Sequence, residues 1–361
     1  MGIPIPRQRH PEPALVALIA LALVAAVALV PLGIWAFNSF RPGSPPPVAV
    51  VTPTPSPAQS PTPSAPPSPV SVVATLHGKI AISSGQSGSG GWIQFPGGAF
   101  TADPKSNVSI QGNGWANGLA WNAAMNAWVP VNWYMVRNDG QVYAFMTWTP
   151  NGQTVQVVRK NGSTYLLGAL PENNYGFNAL GAEPEGVYVT SGSGQGGLWL
   201  LDYSGGVKQV AATGFWQLAA FGYAYGTVTP FVPQGGTNVI MRINLKTKAI
   251  ANWFSRPGLE SRVVGVTLDG TPIIEASNTT TAQVWLGTQN AKLLHTEVLD
   301  TTRQGPVYPG YQPQAAIYAI TALGDQVGIW VATTNGLYLY TDKSGWELAS
   351  QTTGQLASTI Q

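Results

Sequence analysis

The sequence predicts an all-β fold, a β-propeller of six or seven blades with seven favoured, and three observations lead there. From Val70 onward, short apolar runs of two-fold alternation are separated by Gly, Asn, Asp and Pro turns. A hairpin unit of strand, polar turn and strand recurs with starts at Val155, Leu198, Val239, Val284 and Leu337, spaced by 43, 41, 45 and 53 residues. Helical periodicity is sustained nowhere in this region, and 42 glycines with 30 prolines make turns dominant.

Each hairpin follows another short apolar strand: Val142–Phe145, Val187–Val189, Tyr223–Tyr225, Ile273–Ile274 and Ile329–Val331. A unit of 40 to 50 residues with about four strands has the size of a propeller blade. The earlier copies are less regular. Trp92–Phe100 makes one hairpin, and Leu119–Trp121 with Trp128–Val131 makes another. Counted separately they give seven blades, and merged they give six. Trp199, Trp285 and Trp330 lie within the apolar strands and are expected to be buried between neighbouring sheets.

The segment Trp133–Phe145 resembles the Trp-Ser-Pro-Asp-Gly-x-x-Ile-Ala-Phe motif of TolB-like and WD40-like propellers. That resemblance implies that Asp139-Gly140 forms the tight turn between the two inner strands of a blade. Arg137-Asn138 replaces Ser-Pro, and the spacing from Trp133 is stretched. The motif covers one blade, so it implies a fold and no activity. The overall plan is similar to that of bacterial single-pass, membrane-anchored propeller proteins of unknown function.

That plan has four zones. Residues 1–13 form a cytoplasmic segment and 14–40 a transmembrane helix. Residues 41–69 form a Pro/Ser/Thr-rich, disordered extended linker, and 70–361 the propeller ectodomain. Ala14–Phe37 is 24 nearly continuous apolar residues, and no charge occurs between Pro13 and Phe40. As a helix this run is about 36 Å long, enough to cross a bilayer core of about 30 Å. Arg7 and Arg9 precede it and Arg41 follows, which by the positive-inside rule leaves the N-terminus in the cytoplasm and the propeller outside. The alternative is a cleaved signal peptide and secretion, with Ile34-Trp35-Ala36 as a poor cleavage site. Residues 42–69 hold 12 prolines and eight Ser/Thr. They cannot bury apolar surface, and as polyproline II they reach up to about 87 Å.

Charge and motif chemistry exclude more than they assign. Only 9% of residues are charged. Beyond residue 41 the cations and acids balance at 14 each, so the ectodomain lacks the cationic stripe that nucleic-acid binding needs. Cysteine is absent, which removes disulfides, thiolate metal sites and thiol nucleophiles. The Gly192–Gly197 stretch fits GxGxxG but leads into the strand Leu198–Leu201, so it reads as a turn rather than a dinucleotide site. No G-x-S-x-G, HExxH or acidic calcium loop occurs, and His77 and His295 read as structural. Glu183 and Glu185 share one strand face beside Pro184 and read as an exposed turn, and Glu275 faces either the central channel or one side of its sheet. Thr341–Trp346 partly resembles the structural Asp-box turn of sialidase-like propellers.

These readings predict a non-catalytic binding or scaffolding module with no cofactor and no metal. It is held in the lipid bilayer by its N-terminal helix and binds a protein or glycan partner on one propeller face. The alternatives are a propeller-type carbohydrate-active hydrolase, which needs two carboxylates in the central cleft, and a structural cell-envelope protein. The long interval before Leu337 contains an insertion, Thr301–Pro313, and Arg303, Tyr308 and Tyr311 within it are the candidate partner-binding residues. Tyrosine offers a stiff contact surface at low entropic cost, and the surrounding prolines restrict the loop.

Overall fold

The predicted hairpins recur as sheets in the computed structural model of the chain. It describes residues 71–358 apart from 84–88, 111, 113, 116–117, 173–175, 193–195, 229–237, 279, 289 and 299–318. The described residues all belong to the second of two units, Pro67–Gln361. They are all-β: three short 3₁₀ turns are the only helical elements among them, and none is long and apolar enough to cross a membrane. The expected transmembrane segment 14–40 and linker 41–69 lie outside the described residues.

Gly78–Ser83 (β1), Gly90–Phe95 (β2) and Ala99–Ala102 (β3) form an antiparallel meander. Gly114–Trp115 (β4) begins the next sheet. The chain then leaves to make a separate hairpin, Ala120–Asn122 (β5) and Ala127–Val129 (β6), and returns as Val142–Thr149 (β7), Gly152–Arg159 (β8) and Thr164–Leu166 (β9), in the order β4-β7-β8-β9. Four regular meanders follow. They are Phe177–Glu183 (β10), Gly186–Ser191 (β11), Leu198–Asp202 (β12) and Val207–Ala211 (β13); then Phe215–Ala220 (β14), Tyr223–Thr227 (β15), Val239–Asn244 (β16) and Ile250–Ser255 (β17). The last two are Glu260–Val266 (β18), Pro272–Ser277 (β19), Thr281–Leu286 (β20) and Lys292–Val298 (β21); then Ala319–Gly324 (β22), Ile329–Thr333 (β23), Gly336–Thr341 (β24) and Gly345–Ser350 (β25). Gln355–Leu356 (β26) pairs antiparallel with β1 and completes the first sheet.

The inner strands of successive sheets touch in turn: β7, second in its sheet after the short β4, meets β10, β10 meets β14, β14 meets β18, β18 meets β22, and β22 meets β26. This is the strand plan of a β-propeller, in which four-stranded sheets repeat around an axis. The C-terminal strand closes the series, and the Leu356 N–H donates to Thr321 Oγ1 on β22 at 2.8 Å. Each of the four regular sheets carries a bulge in its first strand, at Ala179/Gly181, Trp216/Leu218, Val263/Gly265 and Ala319/Thr321. Each carries a second bulge where its third strand meets its fourth, at Leu198/Trp199, Ile240/Met241, Val284/Trp285 and Leu337/Tyr338. Bulges sharpen strand twist, and here they recur with the repeat.

Small residues let the first strands meet. A Cβ on Gly181 would stand 1.8 Å from the Ala219 carbonyl oxygen, and one on Gly265 would stand 1.6 Å from that of Ala322. At the second of these contacts β18 and β22 pair in parallel, Gly265 with Ala322 and Val266 with Leu323. Cores fill the spaces between sheets. Trp330 is fully buried, packed on Phe95 of the first sheet at 5.6 Å, and its Nε1–H donates to Asp325 Oδ2 at 2.8 Å. Trp199 and Trp285 correct the expectation of full burial. Both follow the second bulge of their sheets near the outer edge, where the wedge between sheets opens toward solvent.

Two further expectations change. Asp139-Gly140 does turn the chain, with Val136 bridging Tyr143 across it, but Trp133 lies in a 3₁₀ turn, Trp133–Met135, rather than on a strand. The hairpin β5–β6, counted as a blade of its own in the seven-blade reading, has two strands only.

Replacing Trp330 by Ala should cost about 3–5 kcal/mol in urea unfolding, the range for a large core aromatic, whereas Trp199→Ala should cost clearly less. Gly265→Ala should destabilise by about 1–3 kcal/mol because the new methyl meets backbone that cannot yield without separating two sheets. An unchanged midpoint for Gly265→Ala would refute the close approach of β18 and β22.

Candidate functional site

The broken first strand of the β7 sheet builds the candidate site. On the inner edge of β7, Gly114 and Trp115 pair with Thr147 and Met146, while Val136 pairs with Tyr143. The chain between these two pieces goes off to the first sheet. There Trp121 and Trp128 pack against Trp92, and the Asp103 carboxylate accepts from both Trp92 Nε1–H (3.0 Å) and Trp128 Nε1–H (2.9 Å). The Trp128 hydrogen bond is the main reason the Asp103 carboxyl stays below the usual range. The hairpin is therefore fastened at its far end, and the returning chain arrives at the axis as the 3₁₀ turn Trp133–Met135.

That turn touches β7, β10 and β14. Trp133 packs against core clusters drawn from almost every sheet, including Val142 and Ala182, Trp330 and Leu323, and Tyr225 and Ile274. It fills the place where the first strands converge. Tyr134 meets it edge-on at 5.6 Å and 81°.

Beside this plug lies a cavity of about 280 Å³, lined among others by Trp115, Asn132, Tyr134, Asn178, Trp216 and Gln217. None of its lining residues is charged. Asn132 Nδ2–H donates to Tyr134 Oη at 2.7 Å, which leaves the Tyr134 O–H as an available donor. Burial pushes the Tyr134 phenol up, so it stays neutral. Gln217 Oε1 accepts from the Val263 N–H at 3.2 Å, leaving its amide N–H groups uncommitted by that bond. Trp115 stacks on Trp148 at 6.0 Å and 29°. Trp148 is 52% exposed, the one exposed tryptophan among the described residues. The arrangement offers flat aromatic surface, neutral donors and acceptors, and no charge. It suits a neutral polyhydroxylated ligand, whose C–H faces stack on rings while its hydroxyls meet amides.

Arg303, Tyr308 and Tyr311 lie outside the described residues. The other singled-out residues are placed. Gly192, Gly196 and Gly197 lie between strands β11 and β12, with 193–195 outside the described residues, and Thr341–Trp346 turns β24 into β25, with the Thr341 and Ser344 hydroxyls 2.8 Å apart. His77 is exposed ahead of β1. His295 lies on the outer strand β21, flat against Trp346 at 4.5 Å, and burial lowers its pKa. Glu275 is buried on β19 and held by Arg262 at 2.7 Å. Glu185 is exposed and accepts from the Tyr188 hydroxyl at 2.6 Å. Glu183 corrects the expected exposed turn: it is 2% exposed, and its two oxygens accept from the Phe221 and Gly222 N–H groups at 2.9 and 2.8 Å. It thus caps the first turn of the next sheet, a role no local pattern signals. Trp148 and Tyr134 escaped the sequence reading too. The one local hint was Trp148 standing beside the Pro150-Asn151 turn, where an aromatic has no neighbour along the strand to cover it.

No family model and no curated relative matches the chain. Solved structures similar to it include TolB from Acinetobacter baumannii, at 13% identity and TM-score 0.39 over 75% of this chain and 65% of that one. Virginiamycin B lyase from Staphylococcus aureus is similar at 10% identity and TM-score 0.37, over 75% of this chain and 83% of the lyase. A prolyl endopeptidase is similar at 10% identity and TM-score 0.44, over 76% of this chain and 50% of the peptidase. The chain thus spans 65% of the TolB length and half of the peptidase length.

Burial raises the Glu183 carboxyl to about 6, against the pull of its two N–H donors. The folded state therefore holds this proton more tightly than the unfolded chain. Its contribution to stability is complete below about pH 4.5 and is lost as pH rises through about 6. Between those values the stability of wild type should fall by about 1–2 kcal/mol relative to Glu183→Gln, in urea unfolding at both pH values. A difference independent of pH would contradict a buried, titrating Glu183.

Proposed function

We propose that this chain is a membrane-anchored propeller of six blades that binds a neutral glycan at the mouth of its axis and does not turn it over. The observation that carries the reading is the Trp115–Trp148 stack beside the uncharged cavity at Tyr134. An exposed tryptophan held by a second ring is a ready stacking surface, and the amides of Asn132, Asn178 and Gln217 supply orientation without charge. The two buried carboxylates among the described residues, Glu183 and Glu275, are engaged by backbone N–H groups and by Arg262, away from that mouth. The six-blade count treats β5–β6 as an excursion of the sheet formed by β4 and β7–β9. Supporting this, both ends of the excursion rejoin the inner edge of β7.

The anchor rests on the apolar run 14–40 with Arg7 and Arg9 before it, and the Pro-rich linker 41–69 would hold the propeller clear of the bilayer.

A glycan array probed with the detergent-solubilised full chain should return neutral oligosaccharides. Trp148→Ala should weaken the best of them at least tenfold, about 1.4 kcal/mol, while its melting temperature hardly moves, as for an exposed side chain. Hits that Trp148→Ala leaves untouched would move the site elsewhere, and product formation from a bound sugar would replace binding with hydrolysis. External protease on intact cells should remove the propeller and leave a membrane fragment containing Arg7 and Arg9. Full release into the medium with an N-terminus near Phe37 would favour cleavage over anchoring.

A further inference from the structure

A second cleft lies between the β7–β9 sheet and the β10–β13 sheet, at the opposite ends of their strands from the axial mouth. It encloses about 720 Å³ and is lined by Arg137, Gln141, Arg159, Lys160, Tyr165 and Tyr203, among others. The strand register brings the cations together. Val142 pairs with Arg159, the Arg137 N–H donates to the Val142 carbonyl at 3.0 Å, and the Lys160 N–H donates to that of Gln141 at 2.9 Å. The turns after Val136 and after Arg159 therefore stand side by side. Tyr203 comes from the turn of the neighbouring sheet.

We infer that this cleft binds a tetrahedral oxyanion carried on a small ring or chain, that is, a phosphate or sulfate ester. Three cations face one acid here, in a chain that beyond residue 41 carries no net charge. Asp139 holds Arg137 through its Nε–H and Nη2–H at 2.8 and 2.7 Å, which fixes the guanidinium and leaves its Nη1 edge outside that fork. Arg159 lies over the Tyr165 ring at 4.6 Å, and Arg137 lies 5.5 Å from that of Tyr203. Among the described residues, no carboxylate lies within ion-pair distance of Arg159 or Lys160. Guanidinium groups pre-positioned on rings lose little freedom on meeting an oxyanion, and two arginines with one lysine can share the oxygens of a single tetrahedral group. The Tyr203 hydroxyl is shielded from solvent beside the Arg137 guanidinium, so the wall of the cleft is built against the anchored arginine. The ring faces of Tyr165 and Tyr203 then receive whatever carries the ester. A carboxylate would engage only two oxygens and is the weaker match.

Calorimetric titration of the full chain in detergent with phenyl phosphate, phenyl sulfate and benzoate tests this. The phosphate and sulfate esters should bind with Kd below about 1 mM at low salt and weaken as salt rises, with benzoate at least tenfold weaker. The comparison between the two esters distinguishes a phosphate site from a sulfate site. The double variant Arg159→Gln with Lys160→Gln should lose at least tenfold in affinity at an unchanged melting temperature, since both side chains lie at the surface. Arg159→Lys, which keeps the charge and loses the fork, should fall between wild type and the double variant. No heat from either ester up to millimolar concentration would overturn the inference. So would equal binding by wild type and the double variant, or benzoate binding as tightly as the esters.

Discussion

Everything in this array of sheets depends on the close approach of the inner strands. Backbone oxygens of Ala219 and Ala322 come so near to Gly181 and Gly265 that no side chain fits between them, and β18 and β22 pair directly. Sheets brought together at one edge must diverge at the other. The wedge between them is filled by side chains that include Ala219, Ala224 and Trp216 toward the axis and Trp285 and Trp346 outside. The bulges at the same two places in each regular sheet are the local adjustments that let a flat meander twist into such a wedge. At the outer edge cations cover the remaining rings, as Arg242 does over Trp253 at 3.3 Å and Arg256 over Trp285 at 3.9 Å.

Convergence also creates a problem at the axis, because backbones that meet in a ring leave a hole that must be filled or wetted. This chain fills it with Trp133, delivered by a strand interrupted for the purpose. The interruption has a structural cost, since β7 loses part of a continuous partner, and it is offset by the tryptophan cluster that Asp103 clamps at the other end of the excursion. What the interruption leaves behind is the uncharged cavity beside Tyr134, framed by Trp115 where the first piece of the strand stops.

The two ends of the sheets differ in chemistry for reasons of composition and not of fold. At the axial mouth the side chains are aromatic or amide. At the other end the turns between strands carry the charges, because turns must be solvated and Asp, Asn, Arg and Lys are tolerated there. Some of those charges are paired, as Arg137 is with Asp139 and Lys292 with Asp342. Arg159 and Lys160 join Arg137 in lining a single cleft and give it a sign.

Strands, turns and their repeat were legible before any contact between sheets was known. Two-fold alternation and glycine-rich turns are local properties, written within each hairpin from Val155–Leu167 to the one at Leu337, and the structure reproduces each of them. Its apolar strand pattern also placed Trp330 in a core. The remainder depends on contacts between sheets. Glu183 looks like a turn residue until the N–H groups of Phe221 and Gly222, from a different sheet, arrive to receive it. Trp199 and Trp285 share the strand pattern of Trp330 and differ only in distance from the axis, which no window of sequence contains. Trp133 was legible as the start of a repeat motif, yet it became a plug because the chain beyond Trp115 found a partner in Trp92, more than twenty residues away. Local periodicity encodes what a strand is; which strand meets which, and how closely, depends on where the whole series of sheets closes.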